Sequence, residues 1–557
     1  MFAKLTKEQR IVLMVSVAIG SLAAVLWLSL LVFGTQFAES VIAGEGPFGY
    51  LRGSGLRLVG GVPKEEQPAA LLQLIMTFLG RLTVVYAFCQ SLLLLGSLRY
   101  PNLFSDFFGA ESYPINLALF RIAFFLTLYP RVSLRKTLSL LQVPDESRVA
   151  PPGLSWMVEN LPESPELNTW LYRLFVAVCV LGAIGLWTRF ACAAATLLTF
   201  YLMGITQFFG KIEHHHYLVW IGALLAVSKC ADVLSVDAWL RRRRGQSSML
   251  GPDRVYGLPI RFIWLFLGVI YFFPGMWKFV VSGPEWFLSD NLRNRMLLRM
   301  FVGDGWSPIF RMDQYSMLCK FGGLTTILME IGFIFLIFLP GWRYVAAVGG
   351  FCFHWMVVFF LNISFWPLQL YYLTFVNWQP VWAKLLSAFG VAHEQTSDAS
   401  NHQSPPTARK LRAVFAVGLF FVLSNVFCGF TMLDSWPFGV FPTFARIIGP
   451  SWESLSFSPV DEMGNELTEV EAFFDPDIRD SFGVGVGRLG EILATASRPH
   501  SKRPERLRAI WEQWHERHPE LEKVSQVNFY LVEYSTLPGD AKEPVGRKLL
   551  ESVSLSP

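Results

Sequence analysis

Apolar residues run along the chain in stretches of spanning length, separated by short polar segments, from the N-terminus to about residue 430. A helix of about 20 apolar residues crosses the hydrocarbon core of a bilayer. The first stretch, Ile11 to Gly34, follows Lys4, Lys7 and Arg10. It is longer than the ~7–15 residues of a signal-peptide core, so it reads as an uncleaved first span with a cytoplasmic N-terminus. Further spans are predicted near residues 69–97, 115–130, 169–187, 188–208, 217–234, 259–281, 322–340, 343–362, 366–385 and 411–430. The pattern predicts an all-α polytopic membrane protein of about eleven transmembrane helices.

After residue 432 the pattern changes. Met463-Gly464-Asn465 is a turn signal, and Val527 to Val532 reads as a strand. Arg503 to His518 reads as an amphipathic helix, with Leu507, Ile510, Trp511 and Trp514 on one face. The expected organisation is a two-helix membrane extension over 1–110, a transmembrane core over 111–432, and a small C-terminal α+β extramembrane domain over 433–557. Trp436, Phe438 and Phe441 are expected at the junction of that tail with the outer helix ends, because aromatic residues favour such interfaces. Residues 390–408, rich in Ser, Thr, Asn, Gln and Pro, read as a flexible loop.

Charge adds orientation. Cytoplasmic loops carry an excess of Lys and Arg. With the N-terminus inside, the loop bearing Arg241, Arg242, Arg243, Arg244 and Arg254 falls on the cytoplasmic side, as do Arg409, Lys410 and Arg412. An odd number of spans then places the tail outside. Segment 282–320 also falls outside, yet it holds Arg293, Arg295, Arg299 and Arg311. Interleaved with Leu and Met, these predict an amphipathic helix lying on the bilayer surface. The expected setting is a bacterial inner membrane with an extracytoplasmic tail and lipid around the helices.

Composition agrees with the pattern. Of 557 residues, 53% are hydrophobic and 16% charged, where soluble chains carry about 25% charged residues. The net charge of +4 comes from short basic clusters between apolar runs and suggests no nucleic-acid partner. The seven cysteines lie in or beside apolar runs without a C-x-x-C, so neither a disulfide framework nor a zinc site is expected.

An ionisable group within an apolar run needs a reason, because burying its charge in hydrocarbon is costly. Arg81, Arg121, Glu330, Lys278 and His354 are such groups. A buried ion pair of Arg121 or Arg81 with Glu330 is the structural expectation. Lys278 has two readings: a lysine snorkelling at the end of its helix, or a desolvated amine able to accept a proton. Glu213-His214-His215-His216-Tyr217 opens another helix. Adjacent side chains point about 100° apart there, so three consecutive histidines cannot share one metal, and no metal is predicted. The cluster is either a titratable interfacial patch or, beside Lys278 at the outer face, a proton-handling site. His354 reads first as a core histidine.

These residues carry a resemblance. Leu117 to Ile122, His214-His215-His216-Tyr217-Leu218, Leu234-Ser235-Val236-Asp237, Tyr271 to Lys278, Phe353-His354 and Trp436-Pro437-Phe438 resemble, in order, motifs of the HTTM-domain family. That family comprises relatives of the vitamin K-dependent γ-glutamyl carboxylase. The resemblance covers roughly residues 112–445. It implies that Lys278 is a base that deprotonates a reduced naphthoquinone of the vitamin K or menaquinone type. Oxygen then attacks the anion to give an epoxide, and carboxylation of a substrate can be coupled to that step. It implies that His215 supports the proton chemistry. His354, Tyr217, Phe273 and Trp277 are expected around the same cavity. The carboxylase has two adjacent lysines where this chain has Trp277-Lys278, and an Asn where it has His214. Its large lumenal domain is replaced by a small tail. These departures argue against a protein substrate and leave quinol chemistry. The second reading is a non-enzymatic lipid- or quinone-binding membrane protein on the same scaffold.

Overall fold

A computed structural model describes residues 5–555, apart from 60, 163, 211, 213, 247–250, 304, 390–406, 440–443, 485, 522 and 540–543. Glu213, Phe441 and the segment read as a flexible loop therefore lie outside the described residues, save for 407 and 408.

The fold is mostly helical. Its membrane-sized helices are α1 (Lys7–Ala43) and α2 (Gln67–Arg99), then α4 (Pro165–Ile184) and α5 (Thr188–Ile205) beyond the shorter α3 (Pro114–Leu128). There follow the short α6 (Tyr217–Val227) and α7 (Val236–Arg243), and α8 (Arg254–Ser282). After α9 (Asn291–Val302) come α10 (Ser316–Leu336), α11 (Trp342–Leu361) and α12 (Thr407–Thr431). Among the described residues, eight helices are long and apolar enough to cross a membrane. α1 buries none of its most apolar window and exposes Leu22, Leu28, Leu31 and Val32. Such a surface is unstable in water and is consistent with an integral membrane protein.

Two of the predicted spans, 217–234 and 366–385, are shorter or more broken than the hydropathy pattern suggests. α3, with 15 residues, ends two residues from its predicted bound, whereas α6 has only 11. Segment 366–385 is broken into a helical turn at Trp366–Gln369, a 3-10 segment at Leu370–Phe375 and a helix at Gln379–Ala388. The cause in α6 is Arg121. Its guanidinium donates to the carbonyls of Cys230 at 2.8 Å, Leu234 at 2.6 Å and Ala183 at 3.4 Å. The chain after Val227 is thus folded around a buried cation rather than continuing as helix. The Leu234-Ser235-Val236-Asp237 segment lies beyond the end of α6 at Val227. Ser235 caps α7, and Asp237 accepts from the backbone N–H groups of Trp187 and Thr188 at the start of α5, both at 2.9 Å. A carboxylate there satisfies donors that the first helical turn leaves open.

α8 is the axis of the bundle. Asp253 caps its start, and 89% of its most apolar window is buried. With 29 residues it is about 43 Å long at ~1.5 Å per residue. At one end Arg254 donates to Phe108 O and Tyr256 to Asp232, which also binds Arg241. The N-terminus joins the same end, where Thr6 donates to Pro101 O and Glu8 accepts from Phe104 N. At the other end Ser282 donates to Ala445 O, at the start of the tail.

The tail is a four-stranded antiparallel sheet in the order β2-β1-β3-β4, from β1 (Ser451–Asp461), β2 (Val470–Glu471), β3 (Val524–Ser535) and β4 (Pro544–Ser554). Helices α13 (Val486–Ser497) and α14 (Arg503–His515) cover one face of it. The four predicted face residues of α14, Leu507, Ile510, Trp511 and Trp514, are all buried. Their cluster continues into the helical part through Leu140, Leu141, Ile205, Phe208 and Phe209. At the junction the Trp436 indole donates to Phe200 O at 2.9 Å, and Phe438 packs near Trp220 and Phe421.

α9, whose Arg/Leu pattern predicts an amphipathic helix, has contacts on the protein side. It straps the start of the tail to the bundle. Asn291 accepts from Ile448 N, Asn294 donates to Ile448 O, and Arg295 donates to the carbonyls of Phe444 and Arg446. Of the four arginines that conflicted with the orientation rule, Arg295 is thus spent on tail carbonyls, while Arg293 and Arg311 pair with Asp290 and Asp313.

Candidate functional site

On a helix, positions i, i+3 and i+7 share a face. Along α8 this puts Tyr271, Pro274 and Lys278 on one face, and all three line a cavity of about 120 Å³. Pro274 has no N–H, so the Ile270 carbonyl loses its helical donor at the cavity wall. The wall is otherwise largely apolar: Ile270, Phe353, Val357, Leu361, Phe365 and Leu368.

Lys278 does not snorkel. It is 4% exposed, and its Nζ lies 2.5 Å from Oε1 and 2.6 Å from Oε2 of Glu330 on α10. The Trp286 ring centroid is 5.4 Å from the same nitrogen. Glycine makes this contact geometry. A Cβ at Gly275 would stand 2.6 Å from Glu330 Cβ, so α8 and α10 approach closely only because that atom is missing. Gly275→Ala is therefore expected to push the helices apart, cost about 1–3 kcal/mol as an overpacked contact, and loosen the Lys278–Glu330 pair. Thermal unfolding in detergent checks this; an unchanged melting temperature would contradict the close packing.

Glu330 thus pairs with neither Arg121 nor Arg81, contrary to the sequence expectation. Arg121 holds the loop carbonyls described above. Arg81 donates to Val281 O at 2.6 Å and Val280 O at 3.3 Å, satisfying carbonyls at the end of α8. Both arginines find several carbonyl oxygens in the geometry of a guanidinium fork.

Beside the ion pair is a hydrogen-bonded cluster. The Tyr271 hydroxyl lies 2.8 Å from His354 Nε2 and 2.6 Å from the Tyr372 hydroxyl. His354 is buried, lines the cavity, and its Nδ1 has no hydrogen-bond partner among the described residues. Arg295 reaches the cavity from α9. Burial first, and the neighbouring Arg299 second, push its guanidinium down to about 10, so it stays charged at neutral pH.

No protein-family model, curated protein or solved structure matches this chain.

Of the residues singled out in the sequence, Lys278 and His354 line the cavity. His214 also lines it, across a ring contact with Phe365, whereas its neighbour His215 does not. His215 Nε2 lies 3.3 Å from Arg131, and its Nδ1 3.4 Å from the Tyr217 hydroxyl. Tyr217 packs on Tyr371. Phe273 and Trp277 occupy another face of α8: Phe273 meets Phe430, and Trp277 donates to Gly429 O at 2.9 Å. Consecutive histidines diverge by about 100° on a helical turn, so only one of the three could face a given cavity. Among the described residues no group of three or more His, Cys, Asp or Glu is placed to hold a metal ion. The cysteines are free thiols, all buried but Cys352.

The cavity suits an apolar ring. Its volume is close to that of an engineered cavity of about 150 Å³ that binds benzene.

Proposed function

We propose that this protein is an integral membrane enzyme that removes a proton from a lipid-soluble phenol, a reduced naphthoquinone, at Lys278. The observation that carries this reading is a buried lysine amine, held by Glu330, in the wall of an apolar cavity. At 2.5–2.6 Å the pair can exist as ammonium and carboxylate or as amine and carboxylic acid. The second form buries no formal charges, and its nitrogen lone pair takes a phenolic proton once the carboxylic O–H turns away from it. His354 Nδ1, without a protein partner, is a further polar contact for a ring hydroxyl. α11 is peripheral, with 22% of its most apolar window buried, which favours entry from the lipid side. Bound quinol would supply the oxidisable ring, and oxygen the epoxide oxygen.

The test is oxygen consumption by the purified protein in detergent with a reduced menaquinone-like naphthoquinol. Wild type is expected to consume oxygen, and Lys278→Arg to lose that activity, because a guanidinium does not give up its proton. Full activity in the Arg variant would remove the base. The ion pair itself favours the second reading in that case: a lysine neutralised by Glu330 in a protein that binds a lipid or quinone without turnover.

The proposed topology has eleven crossings. Besides the eight long helices, α3, α6 and the broken segment Trp366–Phe375 traverse the bundle as shorter elements. Packing inside protein supports this, since irregular backbone is tolerated at membrane depth where protein buries it. The basic run Arg241–Arg244 makes the N-terminal end cytoplasmic and the tail extracytoplasmic. Reporter fusions at residue 245 and at the C-terminus are expected on opposite sides; the same side for both would overturn the odd count.

A further inference from the structure

A second and larger cavity, about 830 Å³, lies between α9 and the tail and shares Arg295, Leu361 and Phe444 with the first. Its α9 wall is Arg295, Leu298, Arg299 and Val302, one helical face. We propose that this cavity binds an amphipathic molecule whose anionic head, a phosphate or carboxylate, sits on Arg295 and Arg299 while its apolar part lies on Leu298, Val302, Leu361 and Phe444.

The charges point that way. Among the described residues, buried Arg295 donates only to backbone carbonyls, and its Nε has no partner. Arg299 makes neither a hydrogen bond nor an ion pair among the described residues. Two guanidiniums at i and i+4 with donors to spare match the several acceptor oxygens of an anion. Arg498, exposed at the end of α13, adds a third cation. The two carboxylates of the cavity, Glu453 and Glu491, belong to the tail side, so the α9 side carries only positive charge. Ser454, buried with a hydroxyl that has no partner, is a further polar group in the tail wall. The volume falls within the roughly 300–1,000 Å³ of small-molecule sites. Apolar residues beside the arginines, continuous with the apolar inner cavity, select an amphiphile over a free ion.

The experiment measures binding to the full chain in a neutral detergent, with dodecyl phosphate as probe and dodecanol and inorganic phosphate as controls. Dodecyl phosphate is expected to bind more tightly than either control. Arg299→Gln is expected to weaken it about tenfold or more, the scale of a lost charge-assisted hydrogen bond. Arg299 makes no hydrogen bond or ion pair among the described residues and repels Arg295, so the ligand-free melting temperature should not fall. If that variant fails to fold, Arg498→Gln, at an exposed position, is expected to weaken binding in the same direction. Equal binding of dodecyl phosphate to wild type and the folded variants would overturn the proposal. So would dodecanol binding as tightly, or inorganic phosphate binding as tightly, which would mark a site for a free anion alone. The readout needs no turnover, so either result leaves the quinol reading to its own test.

Discussion

Lys278→Ala is expected to lose activity and stability together. General acid–base catalysis typically contributes about 10²–10⁴-fold, which sets the expected loss in quinol-dependent oxygen uptake. The stability loss follows from Glu330. With Lys278 gone, its carboxylate is left 5% exposed with no cation. Breaking a buried pair by removing one partner costs about 3–5 kcal/mol, because an uncompensated charge stays inside. Replacing both partners by apolar residues of similar size is often neutral. Lys278→Met with Glu330→Leu should therefore melt near the wild type and still be inactive. Thermal unfolding in detergent beside oxygen uptake separates the two effects. A double variant as unstable as Lys278→Ala would show that the loss does not come from an uncompensated Glu330 charge, and an active one would remove Lys278 from the chemistry.

The second large effect is expected at the junction with the tail. Phe208 is fully buried, at the end of the bundle, in the cluster that continues into the tail through Leu455, Phe457, Trp511 and Trp514. Phe208→Ala is expected to cost about 3–5 kcal/mol, the lost burial plus the cavity left behind. Because the tail's core and the helix ends form one cluster, tail and bundle should unfold in one transition that moves to lower temperature. Calorimetry or a thermal scan with fluorescence from both parts checks this. A tail that melts separately, leaving the bundle's transition in place, would contradict the shared core.

Much of the fold was legible along the chain. Long apolar runs mark helices wherever packing leaves the backbone regular, so α1, α2, α4, α5, α8, α10, α11 and α12 lie close to their predicted positions. The face of α14 and the strand at Val527–Val532 follow from periodicity in the same way. Hydropathy says nothing about where a buried cation gathers carbonyls, and so it overestimated the length of α6. The site divides along similar lines. Lys278, as an ionisable residue in an apolar run, was conspicuous, and helical spacing already set Tyr271 and Pro274 on its face.

What sequence could not supply is every partner across elements. Glu330 lies 52 positions from Lys278, and the close approach at Gly275 gives it that lysine rather than Arg121 or Arg81. Those arginines sit in equally apolar runs, yet each is drawn to backbone carbonyls that become neighbours only after folding. Which of three consecutive histidines meets the cavity depends on the turn that precedes α6, and the turn gives that place to His214. The role of α9 was hidden as well: an Arg/Leu pattern describes a helix at a lipid surface and one clamped beneath a small domain equally well. Local pattern depends on short-range backbone geometry and burial, which the order of residues specifies. Pairing of charges depends on which helices touch, and that is decided by packing of the whole chain.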